Sequence, residues 1–212
     1  VDAPSGKEYR LPTGHEIEAA RAAEAELGWV FDQIPFGLPT EPLAGADALG
    51  FRVPLYGLDQ WHKLFTPRQL LALGIFVKSI RAVSQQISHE DGVWREATVA
   101  YLSASLSRLA DYASSICIWA LGEFLCHTFT RFALPITWDF VEGSPLSETS
   151  GNFEGAVEWV SRVADHLVAA GAEGRQPQAL NQSATASVHG DLDVIVTDPP
   201  YYDAIPYSDL MD

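Results

Sequence analysis

The amino-acid sequence predicts a mainly α-helical chain that ends in a short β element. Apolar residues recur every three or four positions over residues 66–90, 94–119 and 152–170, a spacing that places them on one face of a helix. Residues 16–27, EIEAARAAEAEL, consist almost entirely of strong helix formers. Near the C-terminal end, residues 194–196 form a short apolar run, Val-Ile-Val, with the composition of a strand.

Four segments follow from these patterns. Residues 1–60 form an irregular and helical N-terminal segment, in which 16–27 is a solvent-facing helix and 35–57, rich in Pro and Gly, is an irregular connection. The other segments are a helical region over 61–170, a flexible polar loop over 171–187 and the C-terminal segment 188–212, with a strand at 188–197.

The first long helix of the helical region has a clear start signal. Thr66, Pro67 and Gln69 supply a capping residue, a first-turn proline and the glutamine of a capping box. The apolar face of this helix consists of Leu70, Leu73, Val77, Ile80, Val83 and Ile87. A second stripe contains Leu102, Leu106, Leu109, Ala113 and Ile116, and we expect the two helices to pack as an antiparallel hairpin. The third stripe, which we expect to be buried, contains Phe153, Val157, Val160, Val163, Ala164 and Leu167.

The apolar run at 194–196 leads into Asp198-Pro199-Pro200-Tyr201, the part of the chain most informative about chemistry. A buried strand followed by Asp-Pro-Pro-Tyr is typical of methyltransferases that act on amino groups of nucleic acids. The exocyclic amine of a base is a poor nucleophile because its lone pair is delocalised into the ring. A carboxylate (Asp198) and a backbone carbonyl (Pro199) that accept its N–H hydrogens would free that lone pair.

The other residues of this segment have matching roles. Successive prolines restrict the backbone, so the Pro199 carbonyl stays available. Tyr201 offers a ring on which an extruded base can stack. We expect Tyr202, Asp203 and Tyr207, which continue the segment, to shape the substrate-binding pocket. The alternative is a strand that ends in a Pro-Pro turn with an incidental tyrosine.

The C-terminal sequence DPPYYDAIPYSDLMD resembles the catalytic segment of the DUF1156-containing, Zn-ribbon-associated adenine-specific DNA methylases of bacteria and archaea. Upstream landmarks of that family occur in the same order. They are LFTPRQLLAL at 64–73, RLADYASSICIW at 108–119 and FALPITWDFVEGSPL at 132–146. The resemblance implies that the helical region is attached to part of a Rossmann-like α/β methyltransferase fold. It also implies S-adenosyl-L-methionine as cofactor and adenine N6 of DNA as substrate.

The chain departs from the family in one important element. The Gly-rich turn that binds S-adenosylmethionine, of the Asp-Pro-Phe-x-Gly-x-Gly kind, does not occur in this sequence. We therefore expect an internal piece of a longer methylase, inactive by itself, whose main cofactor-binding residues lie elsewhere. Cytosine N4 or RNA as substrate remains an alternative, as does a non-catalytic recognition or assembly module of a larger protein.

Composition sets further limits. The formal net charge is −15, and only the stretch 51–100, with six basic and four acidic residues, is net basic. Because DNA binding requires Lys and Arg at phosphates, we expect DNA to be bound through the full-length protein.

No apolar run is long enough to span a membrane, and we expect a cytoplasmic protein. Cys117 and Cys126 have no partners at metal spacing, so free thiols and no metal site are predicted.

Two further groups of residues are candidates for the functional site. Arg68 and Gln69 at a helix start suit contact with a phosphate or the cofactor, although capping alone accounts for Gln69. The Trp138–Phe140 stretch and Glu142 suit the wall of a base or cofactor pocket, and a structural tryptophan beside a capping aspartate is the alternative.

Overall fold

Four long α-helices provide most of the regular structure among the residues that the computed structural model describes. Those residues are 2–3, 6–7, 9–45, 50–88, 91–129, 133–172, 174, 178–183, 185–186, 193–199 and 201. The helices are α1 (Gly14–Phe31), α2 (Pro67–Gln86), α3 (Gly92–Asp111) and α4 (Phe153–Gly171). A two-stranded antiparallel ribbon pairs β1 (Asp2–Ala3) with β2 (Gly6–Lys7). The prediction of a mainly helical chain is confirmed.

Each long helix packs against the next one in the chain, α1 on α2, α2 on α3 and α3 on α4. The pairing predicted for the two central helices is thus confirmed, and their connection is only five residues long, 87–91. The α3–α4 pair also runs in opposite directions. The Tyr112 side chain lies at Gly151, and the Arg108 guanidinium lies over the ring of Trp159. The end of α3 therefore lies beside the start of α4.

Local capping explains where α1 and α2 begin. The Thr66 N–H donates to Gln69 Oε1 at 2.7 Å, and the Gln69 N–H donates back to Thr66 Oγ1 at 3.3 Å. This capping box satisfies backbone donors that a helix start leaves unpaired, as the sequence predicts. Thr13 and Glu16 form the same box on α1. There Arg10 and Thr13, by hydrogen bonding to the carboxylate, hold the pKa of Glu16 well below its ordinary value.

The second central helix ends earlier than predicted, at Asp111 rather than near residue 119. Beyond Asp111 the backbone groups bond to distant partners instead of continuing the helix. The Asp111 carbonyl accepts from both the backbone N–H and the hydroxyl of Thr128, each at 2.7 Å. The Ser115 N–H donates to the Leu64 carbonyl at 2.7 Å. These long-range bonds leave no signal in the local sequence. They take the place of the bond from the Ser115 N–H to the Asp111 carbonyl that would continue α3.

The main hydrophobic core lies in irregular segments rather than between the long helices. Its buried side chains are Leu43, Phe51, Val53, Leu64, Ile116 and Leu134. Single β-bridges, Phe51 with Leu134 and Pro42 with Gln60, hold these segments together. A smaller core of Val30, Phe31 and Leu70 joins α1 to α2. The Pro- and Gly-rich stretch predicted to be an irregular connection thus supplies much of the buried apolar surface.

The contact between α1 and α2 depends on a glycine. A Cβ added at Gly74 would lie 2.8 Å from Val30 Cγ1 and 3.2 Å from the Phe31 ring, both side chains being buried. We predict that Gly74→Ala lowers the free energy of unfolding, because overpacking costs about 1–3 kcal/mol and exceeds the gain of about 1 kcal/mol in helix propensity.

Gly28→Ala in α1 is the matched control, because nothing lies within 4 Å of its added Cβ. We expect it to stabilise the chain by about 0.5–1 kcal/mol. Urea denaturation of both variants measures the difference. A stabilising Gly74→Ala substitution would show that the two helices do not approach as closely as described.

The predicted boundaries of α4 are confirmed, but the prediction that its whole apolar stripe is buried is wrong. Ala156 is buried, whereas the side chains of Val163 and Leu167 are 46% and 61% exposed. Among the described elements only α3 packs extensively on α4, so the second half of the stripe lacks a covering surface. No helix in the described ranges is both long and apolar enough to cross a lipid bilayer.

The strand predicted over 188–197 is not observed in its described part, residues 193–197. The side chains of Val194, Ile195 and Val196 are 74%, 73% and 89% exposed, so the expected buried run lies open to solvent. A strand requires a neighbouring strand for its backbone hydrogen bonds, and no described element pairs with this run. Residues 188–192 lie outside the described residues.

Candidate functional site

Asp198, Pro199 and Tyr201, the described residues of the Asp-Pro-Pro-Tyr segment, lie on the surface outside helices and strands. Asp198 and Pro199 are exposed, and the Tyr201 side chain is 59% exposed. Pro200, Tyr202, Asp203 and Tyr207 lie outside the described residues. The carboxylate and the ring that sequence reasoning assigned to amine positioning and base stacking are therefore both accessible to a ligand.

Two other candidates from the sequence, Arg68 and Glu142, form an ion pair across 74 residues of chain. Arg68 Nε lies 3.1 Å from Glu142 Oε1, and Arg68 Nη2 donates to Oε2 at 3.1 Å. The Thr66 hydroxyl donates to the same Oε2 at 3.1 Å. This two-pronged geometry is the strong form of an arginine–carboxylate pair. It ties the segment around Glu142 to the start of α2, and it engages the Arg68 guanidinium that was considered for phosphate contact.

Gln69 serves as the cap rather than as a ligand contact. Its side chain is only 4% exposed, and its Oε1 accepts from the Thr66 N–H. Its Nε2 has no hydrogen-bond partner among the described residues. The amide group of Gln69 is therefore enclosed by the protein and not open to a ligand. This agrees with the interpretation of Gln69 as a capping residue only.

Trp138 does not line a closed pocket. Its side chain is 80% exposed and meets the Tyr56 ring edge-on, with the ring centroids 5.3 Å apart. Asp139 is exposed as well, and Phe140 is 39% exposed. The Trp138–Phe140 stretch thus presents aromatic surface to solvent.

A buried polar cluster joins the end of α3 to the segment near residue 128. The hydroxyls of Ser114 and Thr128 lie 2.7 Å apart, and the thiol of Cys117 is 3.5 Å from Ser114 Oγ. Asp111 Oδ1 accepts from the Phe129 N–H at 3.0 Å. Ser114 falls within the helix predicted over 94–119, but it is a hydrogen-bonding centre beyond the end of α3.

One ion pair extends this cluster to the surface. His127 Nδ1 lies 2.8 Å from Asp111 Oδ2, in a geometry that does not form a hydrogen bond. Cys117 is fully buried, and Cys126 is partly buried; both are free thiols. No group of three or more His, Cys, Asp or Glu side chains is placed to hold a metal ion within the described ranges. The cluster therefore acts as a structural link.

A cleft of ligand size lies where α3 ends and α4 begins, a site that sequence reasoning missed. Its volume is about 540 Å³, and its walls include the rings of Tyr112, Phe124 and Trp159. Gly151, with a φ of +82°, makes the turn into α4 directly against the Tyr112 side chain, where an added Cβ would lie 3.0 Å from Tyr112 Cβ. The cleft forms because the end of α3, the segment around Phe124 and the start of α4 meet although they are distant in sequence, so no local pattern could have indicated it.

Comparisons with protein families, with curated proteins and with solved structures find no match to this chain. Its function is therefore inferred from its own residues.

Proposed function

We propose that the chain supplies the amine-positioning segment of an S-adenosylmethionine-dependent DNA amino-methyltransferase that acts on adenine N6. The observation that carries the proposal is the sequence Asp198-Pro199-Pro200-Tyr201 directly after an apolar run. In this mechanism the Asp198 carboxylate and the Pro199 carbonyl accept the two amine hydrogens, and Tyr201 stacks on the flipped base. S-Adenosylmethionine, held by residues outside this sequence, would supply the methyl group to the positioned nitrogen and would leave as a neutral thioether. The proton leaves the alkylated nitrogen to solvent.

The exposure of the C-terminal segment supports this proposal. Three adjacent apolar side chains that are each more than 70% exposed constitute surface that a partner would cover. In the proposed enzyme, residues 194–196 join a Rossmann-like sheet as a strand, and Asp198 then lies at its carboxyl end, where ligands bind in such folds. Tyr202, Asp203 and Tyr207 shape the base pocket in that arrangement.

Catalysis requires a cofactor turn that this sequence does not contain. The Gly-rich turn of such enzymes presents backbone N–H groups to the cofactor, and an acidic surface cannot replace them. The proposed active enzyme is thus a cytoplasmic polypeptide that carries both elements and contacts DNA through residues beyond this acidic chain.

Two measurements test the proposal. We expect calorimetry on residues 1–212 to show no micromolar binding of S-adenosylmethionine. We expect the complete polypeptide, incubated with DNA and S-adenosylmethionine, to yield N6-methyladenine on nucleoside analysis. N4-methylcytosine, or methylation of RNA alone, would redirect the proposal to the alternative substrates. If the complete polypeptide methylates no nucleic acid, the assembly-module alternative replaces it, with the exposed run 194–196 as the contact surface.

A further inference from the structure

The cleft between the end of α3 and the start of α4 has the size and shape of a small-molecule site. Its volume of about 540 Å³ lies within the range of roughly 300–1,000 Å³ typical of ligand pockets. Two of its aromatic side chains, Phe124 and Trp159, are 50% and 55% exposed. Aromatic rings left open inside a concave surface are available for stacking with a ligand.

Two rings of the cleft already contact a cation of the chain itself, the Arg108 guanidinium. The Arg108 guanidinium lies 4.4 Å from the centroid of the Trp159 ring and 5.4 Å from that of Tyr112. Both distances lie within the cation–π range, about 6 Å. The aromatic walls therefore provide the electron-rich ring faces that attract positive charge.

The ionic groups of the cleft favour a cation as ligand. Three carboxylates line it, those of Glu148, Glu154 and Glu158. Glu158 pairs with Arg162, whereas Glu148 and Glu154 have no ion-pair partner in the part of the chain that the structure describes. With Arg108 as the one basic residue of the lining, the carboxylates leave a net negative charge.

The start of α4 is not available to an anion. Helix starts attract anions through unpaired N–H groups, but here the Gly155 N–H donates to Asn152 Oδ1 at 2.6 Å. Glu154, in the first helical turn, already supplies the negative charge that complements this helix end. A phosphate or carboxylate ligand would meet repulsion from these groups.

We propose that this cleft binds a small methylated onium ion, a quaternary ammonium or a trialkyl sulfonium. Such ions cannot donate strong hydrogen bonds, so they lose less hydration than a primary ammonium when they contact aromatic rings. The partly exposed rings of Phe124 and Trp159 contact the methyl groups, and Glu148 and Glu154 balance the charge. The proposal uses no residue of the Asp-Pro-Pro-Tyr segment. It concerns small onium ions only, and S-adenosylmethionine, with its nucleoside and amino-acid parts, is still expected not to bind this chain.

The test is a titration of the 212-residue chain by calorimetry. Choline and trimethylsulfonium are the probes, and 3,3-dimethylbutan-1-ol, the neutral isostere of choline, is the control ligand. We expect at least one of the two cations to bind about tenfold more tightly than the neutral alcohol, which has the same shape but no charge. Preference for choline or for trimethylsulfonium identifies the kind of onium. Equal affinity for choline and the alcohol, or binding of neither cation, would overturn the proposal.

Three variants locate the binding site. We expect Trp159→Leu to abolish measurable cation binding and Glu154→Gln to weaken it several-fold. Glu154 is exposed, so its isosteric replacement leaves the fold intact. Trp94→Leu is the matched control, since Trp94 is 69% exposed on α3 and lies outside the lining of the cleft. The proposal fails if Glu154→Gln retains full affinity, or if Trp94→Leu weakens binding as much as Trp159→Leu does.

Discussion

Replacement of Asp198 with Ala is expected to reduce methyl transfer by the complete enzyme about 10²- to 10³-fold, the usual cost of removing one preorganised group that stabilises developing charge. The carboxylate acts on the amine as the carbon–nitrogen bond forms, so its loss should appear in kcat more than in KM. Cofactor affinity should stay within a few-fold of the original value. A single-turnover methylation assay with a cofactor-binding measurement separates these effects.

Tyr201 provides the matched comparison in the same segment. Tyr201→Phe should be mild because the ring can still stack on the base. Tyr201→Ala should weaken base binding by about 1–3 kcal/mol. If Asp198→Ala turned over at a near-normal rate, Asp-Pro-Pro-Tyr would be only a structural turn, and the proposed function would fail with it.

Replacement of Phe51 with Ala is expected to destabilise the chain by about 3–5 kcal/mol, the usual cost of truncating a buried phenylalanine. Phe51 is completely buried in the main core, and its segment forms the bridge to Leu134. Because a domain's total stability is about 5–15 kcal/mol, this loss is large enough to lower the urea midpoint markedly.

Phe36→Ala is the control, because the Phe36 side chain is fully exposed. We expect its effect to stay within about 0.5 kcal/mol, as for most surface substitutions. Similar urea midpoints for Phe51→Ala and Phe36→Ala would mean that the irregular segments around residues 43–64 do not form the core.

Helix starts were the most predictable part of the fold. Thr66 and Gln69 lie within one helical turn, so the groups that cap α2 are neighbours in sequence as well as in space. Asn152 likewise caps α4 through its own turn. The end of α3 shows the opposite case, because Thr128, 17 residues away, competes for the Asp111 carbonyl. Where the competing hydrogen-bond partner is distant in sequence, a prediction from apolar periodicity alone makes the helix too long.

Periodicity also overstated the burial of two segments. The stripe of α4 and the run 194–196 are apolar in the expected pattern, yet Leu167 and Val196 are 61% and 89% exposed. A pattern states which side chains share a face, whereas burial depends on whether another element covers that face. Phe51 is the converse, since it lies in a Pro- and Gly-rich stretch without periodicity and is fully buried.

The sequence by itself determined the local features of this protein, namely the helical class, the capped helix starts and the order Asp-Pro-Pro-Tyr on which its proposed chemistry rests. Only the tertiary structure decided that Arg68 pairs with Glu142, that the core lies in irregular chain, and that the aromatic cleft forms between α3 and α4. The physical reason is distance along the chain. Capping and turn chemistry act within a few residues, whereas ion pairs, cores and clefts depend on surfaces that only folding brings together.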